Sequence, residues 1–396
     1  MGNRLAKAPE KMILGTKPRA GATGCAISDD GRIAISSHSS RGQKPWTCVV
    51  WDPQATGDDK EVKVLSGHKG FVSGCALSRD GKIALTGSFD KTLIVFSLED
   101  GKCQHVLRGH TGRIDRCALS ADGRVAASGS IDTNVILWDV KQGEALRTLD
   151  DHAKSIRGVS LSADGKVLMT CCEDRCLVWN TDDGEVKHAL INNEYQPNTR
   201  GWGVFARDTI TKREVLCCAV SPDGTVGVTY DKYSEREGWL TTWRISDGSV
   251  LHQQKLTDMH LNRISLSSDG SLALMSTRYD PCSAKKCEIM LVATPRGKRL
   301  HSFEASYGTN ACALSPDGRF ALSTEGSRCV MRDLLAGGAA GYVGSRGMGG
   351  ESKAAKAAEE AKLPASPTSL ATADESKGME LKRLMDITPR NEEKER

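Results

Sequence analysis

Histidine, serine and aspartate, the residue types of a hydrolase triad, occur together at His110, Ser128 and Asp132. In a triad the histidine takes the serine proton while the carboxylate holds the imidazole. The same spacing returns at His68, Thr86 and Asp90, and again at His152, Thr170 and Asp174. One catalytic centre has no use for such repetition, and it needs in addition an exposed nucleophile and oxyanion donors. No phosphate loop, paired-carboxylate motif or nucleophile elbow accompanies these residues. The expectation is a non-enzymatic chain with no catalytic or cofactor-binding residues, in which recurrent polar groups satisfy one another and stiffen the fold.

The 14 cysteines look like a second chemical signal. Cys25, Cys75, Cys117, Cys218 and Cys312 share one slot of a repeat, which Val159 and Ile264 fill in two other copies. A slot open to Cys, Val and Ile reads as a small buried apolar position. Cys171, Cys172, Cys176, Cys217, Cys282 and Cys287 have no accompanying histidine at zinc spacing, so no metal is expected. Many unpaired thiols fit a reducing compartment, hence a cytoplasmic or nuclear protein.

The elements that position these residues are written in seven copies of one pattern. They are CAISDDG, CALSRDG, CALSADG, VSLSADG, CAVSPDG, ISLSSDG and CALSPDG, closing at glycines 31, 81, 123, 165, 224, 270 and 318. A period in the forties with strand-like flanks marks one supersecondary unit per copy, stable only when neighbours stack on it. In each copy an apolar run, Asp-Gly and a second apolar run predict a hairpin. Third strands are predicted at 92–97, 134–140 and 175–180, and fourth strands at 63–65, 103–107, 145–149 and 185–190. Four antiparallel strands per unit make a propeller blade.

At this point the chain resembles the WD-repeat family over roughly residues 12–332. The third repeat carries Gly109-His110, Asp132 and Trp138-Asp139; the second carries Gly67-His68, Asp90 and Phe96-Ser97; the fourth carries Asp151-His152, Asp174 and Trp179-Asn180. The first keeps Trp51-Asp52 and the fifth Trp243-Arg244, while the sixth and seventh lack the tryptophan. The resemblance implies an all-β, seven-bladed propeller. It also implies that His68, Thr86 and Asp90, His110, Ser128, Asp132 and Trp138, and His152, Thr170, Asp174 and Trp179 form structural hydrogen-bonded chains. The fold hosts many unrelated roles, so function must come from a site.

The seventh repeat runs out after its third strand, at Arg328–Arg332, while Lys11–Leu14 stands upstream of the first copy without a blade. Residues 11–15 are therefore expected to close the ring as its missing outer strand, removing an open sheet edge. The expected organisation is a flexible segment over 1–10, the propeller over 11–335 and a mostly disordered tail over 336–396. In that tail GGAAGYVGSRGMGG reads as a linker, 351–363 as an Ala-Lys-Glu helix former and 379–387 as a short amphipathic turn. Gly2 begins a myristoylation-like segment, although Ala6 replaces the Ser or Thr that signal wants.

With Lys+Arg 54 against Asp+Glu 50, the net charge is +4, too small for a general attraction to nucleic acid or membrane. No apolar run spans a bilayer. Meander topology puts first-to-second turns and third-to-fourth loops on one face of the ring, and second-to-third loops and inter-blade links on the other. The long insertions at 38–46, 192–213, 231–238 and 278–286 map to the link face; the segment 53–61 maps to the first. Loops on rigid scaffolds carry binding. Tyr195, Trp202, Phe205 and Arg207 in the longest insertion are the leading partner-binding candidates, with Phe71, Arg113 and Arg157 beside the same mouth. Function is therefore expected to be a protein-interaction scaffold on the link face. The alternatives are a reader or adaptor for acidic or phosphorylated peptides, favoured by the basic loops, and an RNA-associated module, which the small net charge disfavours.

Overall fold

The computed structural model describes residues 10–14, 21–40, 43–55, 60–190, 214–234, 237–257, 259–277, 287–305 and 308–334. These residues form seven four-stranded antiparallel sheets. Blade 3 runs Ile114–Leu119, Val125–Ser130, Val135–Asp139 and Glu144–Leu149 from the centre outward. The inner strands of the other blades are Ala22–Ile27, Val72–Leu77, Gly158–Leu161, Glu214–Val220, Leu261–Leu266 and Cys312–Leu314. Among the described residues no helix is long and apolar enough to cross a membrane.

Burial explains the strand compositions. The second strand of blade 3 is nearly all buried, whereas Glu144–Leu149 at the rim is exposed except for Leu149. Middle strands pack against neighbouring blades on both faces and so lose the polar alternation of a half-exposed strand. The core accordingly lies between blades. Leu85, Val95 and Leu107 of blade 2 pack with Ile114, Ile136 and Trp138 of blade 3. Large third-strand side chains face small second-strand partners: Trp51 sits across from Ala34, Phe96 from Ala84 and Trp138 from Ala126.

The repeated Ser-x-Asp-Gly is a turn with its own hydrogen bonds. In blade 3 Ser120 Oγ donates to Asp122 Oδ1 at 2.6 Å and accepts from the Val125 N–H at 3.0 Å. Asp122 also accepts the Arg124 N–H at 3.0 Å, and Gly123 takes φ +71°, where a side chain would be strained. Successive turns are linked around the ring: Arg79 N–H donates to Ala121 O, Ala121 N–H to Ala163 O and Ala163 N–H to Pro222 O, at 2.7 to 2.9 Å. Pro222 has no N–H, and Asp223 donates onward to Ser268 in its place.

The N-terminal strand closes the ring. Glu10–Leu14 pairs antiparallel with Arg328–Asp333, placing Glu10 opposite Asp333 and Leu14 opposite Cys329. Leu14 joins Val49 and Trp51 of blade 1 and Leu322 and Met331 of blade 7 in one buried cluster.

Two of the expected insertions are largely strand. Ala34–Ser40 and Gln43–Trp51 carry pairing out to Ser40 opposite Gln43, leaving residues 41–42 as the connection within 38–46. Val226–Lys232 and Glu237–Arg244 likewise shorten the 231–238 insertion to residues 233–236. In both places residues of weak strand propensity, Ser40, Gln43, Asp231, Lys232 and Gly238 among them, still extend the hairpin, which a loss of apolar alternation disguises. The insertions 192–213 and 278–286 and the tail 336–396 lie outside the described residues.

Candidate functional site at the channel mouth

The triad-like sets are polar spines inside blades. In blade 3 Ser128 Oγ is 2.8 Å from His110 Nε2 and accepts the Trp138 Nε1–H at 2.8 Å. His110 Nδ1 lies 3.0 Å from Asp132, whose carboxylate also accepts the Thr111 N–H at 2.8 Å. Ser128 is fully buried, so no substrate reaches its hydroxyl. Burial lowers the His110 imidazole, against the opposing pull of Asp132. Blade 2 repeats the arrangement: His68 lies 2.9 Å from both Asp90 and Thr86. Burial would raise the Asp90 carboxyl, but bonds to His68, Thr92 and the Lys69 N–H hold it well below the usual range. Phe96 stands in the tryptophan place and has no donor for Thr86.

Blade 4 departs from the expected chain. His152 Nε2 meets Thr170 at 2.7 Å and Trp179 donates to Thr170 at 2.7 Å, but His152 Nδ1 faces Cys172 Sγ at 3.1 Å. Asp174 is not the histidine's direct partner; it accepts from Cys172 Sγ at 2.8 Å. The cause is loop length. Trp179 follows Thr170 by nine residues, whereas Trp138 follows Ser128 by ten, and the shorter connection draws Asp174 aside. Burial, reinforced by Arg175, lowers His152 to about 4.

The blades without Gly-His have substitutes that the repeat pattern concealed. In blade 1 Ser36 accepts from Trp51 at 2.7 Å and meets His38, two residues along the same strand, at 2.7 Å. In blade 7 Arg332 stands in the tryptophan place, donates to Ser323 at 2.9 Å and pairs with the buried Glu325 at 2.5 Å. In blade 6 Met275 and Val292 replace both hydroxyl and tryptophan, so the spine gives way to apolar contact there.

The accessible chemistry lies at the mouth of the channel on the link face. Phe71 and Phe89 pack at 4.8 Å between ring centroids, and the Arg113 guanidinium lies 4.7 Å over Phe89. Arg113 Nε also donates to Asp115 at 3.1 Å. These residues line a cavity of about 360 Å³ that also takes in Arg116, Asn262 and Arg263. A neighbouring cavity of about 450 Å³ continues the mouth past Arg113 to Arg157, Glu173, Glu214 and Lys232. Arg157 pairs with Glu173, which Lys154 approaches at 3.5 Å, and the Arg157 bond foremost holds the Glu173 carboxyl below its ordinary range.

Of the partner-binding candidates, Phe71, Arg113 and Arg157 therefore border these two adjoining hollows. Tyr195, Trp202, Phe205 and Arg207 lie outside the described residues. Phe89, Arg116 and Arg263 escaped the sequence analysis. Phe89 precedes a spine aspartate at the end of a loop, and the two arginines sit on inner strands, where a charge reads as surface until the blades are assembled in a ring. The thirteen described cysteines are unpaired. Cys25, Cys218 and Cys312 of the shared slot are buried, while Cys75 and Cys117 are half-buried.

Comparison with known families matches the WD domain, G-beta repeat, at residues 59–97, 101–139 and 143–180. A comparison with curated proteins finds no match. WD-repeat propellers are typically non-enzymatic and generally bind other proteins. The three matched stretches cover most of blades 2 to 4, and four further sheets of the same design complete the ring. The chain carries three matches to the WD repeat within a seven-bladed β-propeller.

Proposed function

We propose that this propeller is a non-enzymatic scaffold that docks partner proteins on its link face, around the channel mouth. The observation that carries the proposal is the cluster of Phe71, Phe89 and Arg113 on the rim of an open hollow, adjoining Arg157. Aromatic and arginine side chains at a concave centre are the groups that anchor interfaces. Apart from the 53–61 segment, the opposite face carries the short Ser-x-Asp-Gly turns, whose polar groups bond within the turn as at Ser120 and Asp122. Tyr195, Trp202, Phe205 and Arg207 belong to the 192–213 segment that joins the last strand of blade 4 to the first of blade 5. The buried spine hydroxyls support a structural role for the triad-like residues. A cytoplasmic or nuclear setting accords with the unpaired thiols.

A second form of the proposal is a reader of acidic or phosphorylated segments, favoured by the arginines of the mouth. The test of docking is capture from native lysate by the full chain and by a chain whose 195–208 segment is replaced with a Gly-Ser linker. Partners lost with the replacement support the proposal; partners retained in full exclude that segment from the docking surface.

A further inference from the structure

One position of the inner strand is small in five blades and arginine in two. It is the residue before the shared Cys/Val/Ile slot: Gly24, Gly74 and Gly158, then Cys217 and Ala311, against Arg116 in blade 3 and Arg263 in blade 6. Blades 3 and 6 stand three apart one way around the ring and four the other. Their arginines thus enter the mouth from nearly opposite sides, and both line the cavity of about 360 Å³. At Gly24 and Gly158 a side chain would collide with neighbouring residues, so these blades send no such group into the mouth.

The charge there is not balanced. Three arginines and one aspartate line the hollow, and the aspartate, Asp115, is already bonded to Arg113. Arg116 spends one Nη1–H on the Asp115 carbonyl at 2.8 Å, while its buried Nε finds no acceptor among the described residues. Burial, with the Arg263 charge next, lowers the Arg116 guanidinium to about 9. Asn262 and Asn310 donate their Nδ2–H groups to backbone carbonyls, and neither side-chain oxygen accepts from Arg116 Nε. A buried cationic donor without an acceptor, facing a second cation, is unfavourable until an anion joins them. Guanidinium forks suit the oxygens of a phosphoryl group, and two charges from opposite sides match a dianion better than a carboxylate. Phe71 and Phe89 at the rim would pack the carbon chain that bears it.

We propose that Arg116 and Arg263 form a phosphate site in the channel mouth, which takes the phosphorylated side chain of a protein docked on this face. The source of the phosphate rests on the docking proposal; the chemistry of the site does not, so inorganic phosphate binds without a partner.

The test titrates inorganic phosphate into the full chain at constant ionic strength, read by calorimetry. Wild type is compared with Arg116→Met, Arg263→Met and Arg124→Met, the last an exposed residue of a turn on the opposite face. Wild type and Arg124→Met should bind alike, and each mouth substitution should weaken binding about tenfold or more. Equal phosphate affinity in all four, or none in wild type, overturns the site. Should Arg116→Met fail to fold, Arg263→Met carries the same decision. In a second arm, phosphatase treatment of captured partners should release them from wild type. Retention unaffected by phosphatase, with phosphate binding intact, overturns the protein-borne source and assigns the site to a small phosphate ester. Absence of any captured partner, with phosphate binding intact, counts against docking and leaves the site standing.

Discussion

The closing strand offers a sharp test because its two faces have unequal surroundings. Leu14 is 1% exposed within the cluster that joins blades 7 and 1, whereas its neighbour Ile13 is 37% exposed. Leu14→Ala removes three buried carbons and leaves a cavity between Trp51 and Leu322, a change that costs about 2–5 kcal/mol. Ile13→Ala removes as many carbons from a site already partly in water, for about 1 kcal/mol. Equilibrium urea unfolding, followed by tryptophan fluorescence, should show a midpoint shift at least twice as large for Leu14→Ala with the slope unchanged. Deleting residues 1–16 should cost more than either substitution, since it also bares the edge of Arg328–Asp333. Equal shifts, or a larger one for Ile13→Ala, would mean the strand presents its other face and would refute the register.

Other consequences follow from the spines. Ser128→Ala orphans His110 and Trp138 together and should lower stability by about 2–5 kcal/mol, measured by urea unfolding. Glu325→Ala should cost about 3–5 kcal/mol by stranding the Arg332 charge, while Glu325→Leu with Arg332→Met should cost less than the single change. His152 binds its proton more readily unfolded, where its pKa is about 6.5, than folded, where it is about 4. Its neutral form therefore favours folding. Stability should be unaffected by this group above pH 6.5, fall by about 3 kcal/mol between pH 6.5 and 4, and level off below. His152→Gln should flatten that part of the stability profile measured against wild type.

Much of the architecture is legible in the sequence because each turn states its own chemistry. Ser-x-Asp-Gly fixes seven hairpins through a serine, an aspartate and a glycine at positive φ, and the missing seventh outer strand points to the N-terminus. Strand ends were less legible where polar hairpins outgrow the core, as at Ser40 and Lys232. Spines were legible where Gly-His and tryptophan survive. They were hidden where Glu325 and Arg332 replace them, because that pairing exists only across two strands. Phe71 and Arg113 could be placed at the mouth from their link positions. Arg116 and Arg263 could not, because their proximity depends on closing a ring over 146 residues of intervening sequence.

The central claim is that partners dock on the link face. The most direct measurement is the affinity of a captured partner for two charge-altered chains, with wild type as reference. One carries Phe71→Ala, Arg113→Glu and Arg157→Glu at the mouth; the other carries Lys102→Glu and Arg124→Glu on exposed turns of the opposite face. Loss of affinity by about a hundredfold in the first and little change in the second is the predicted result. Loss confined to the second chain, or unchanged affinity in both, would contradict the account.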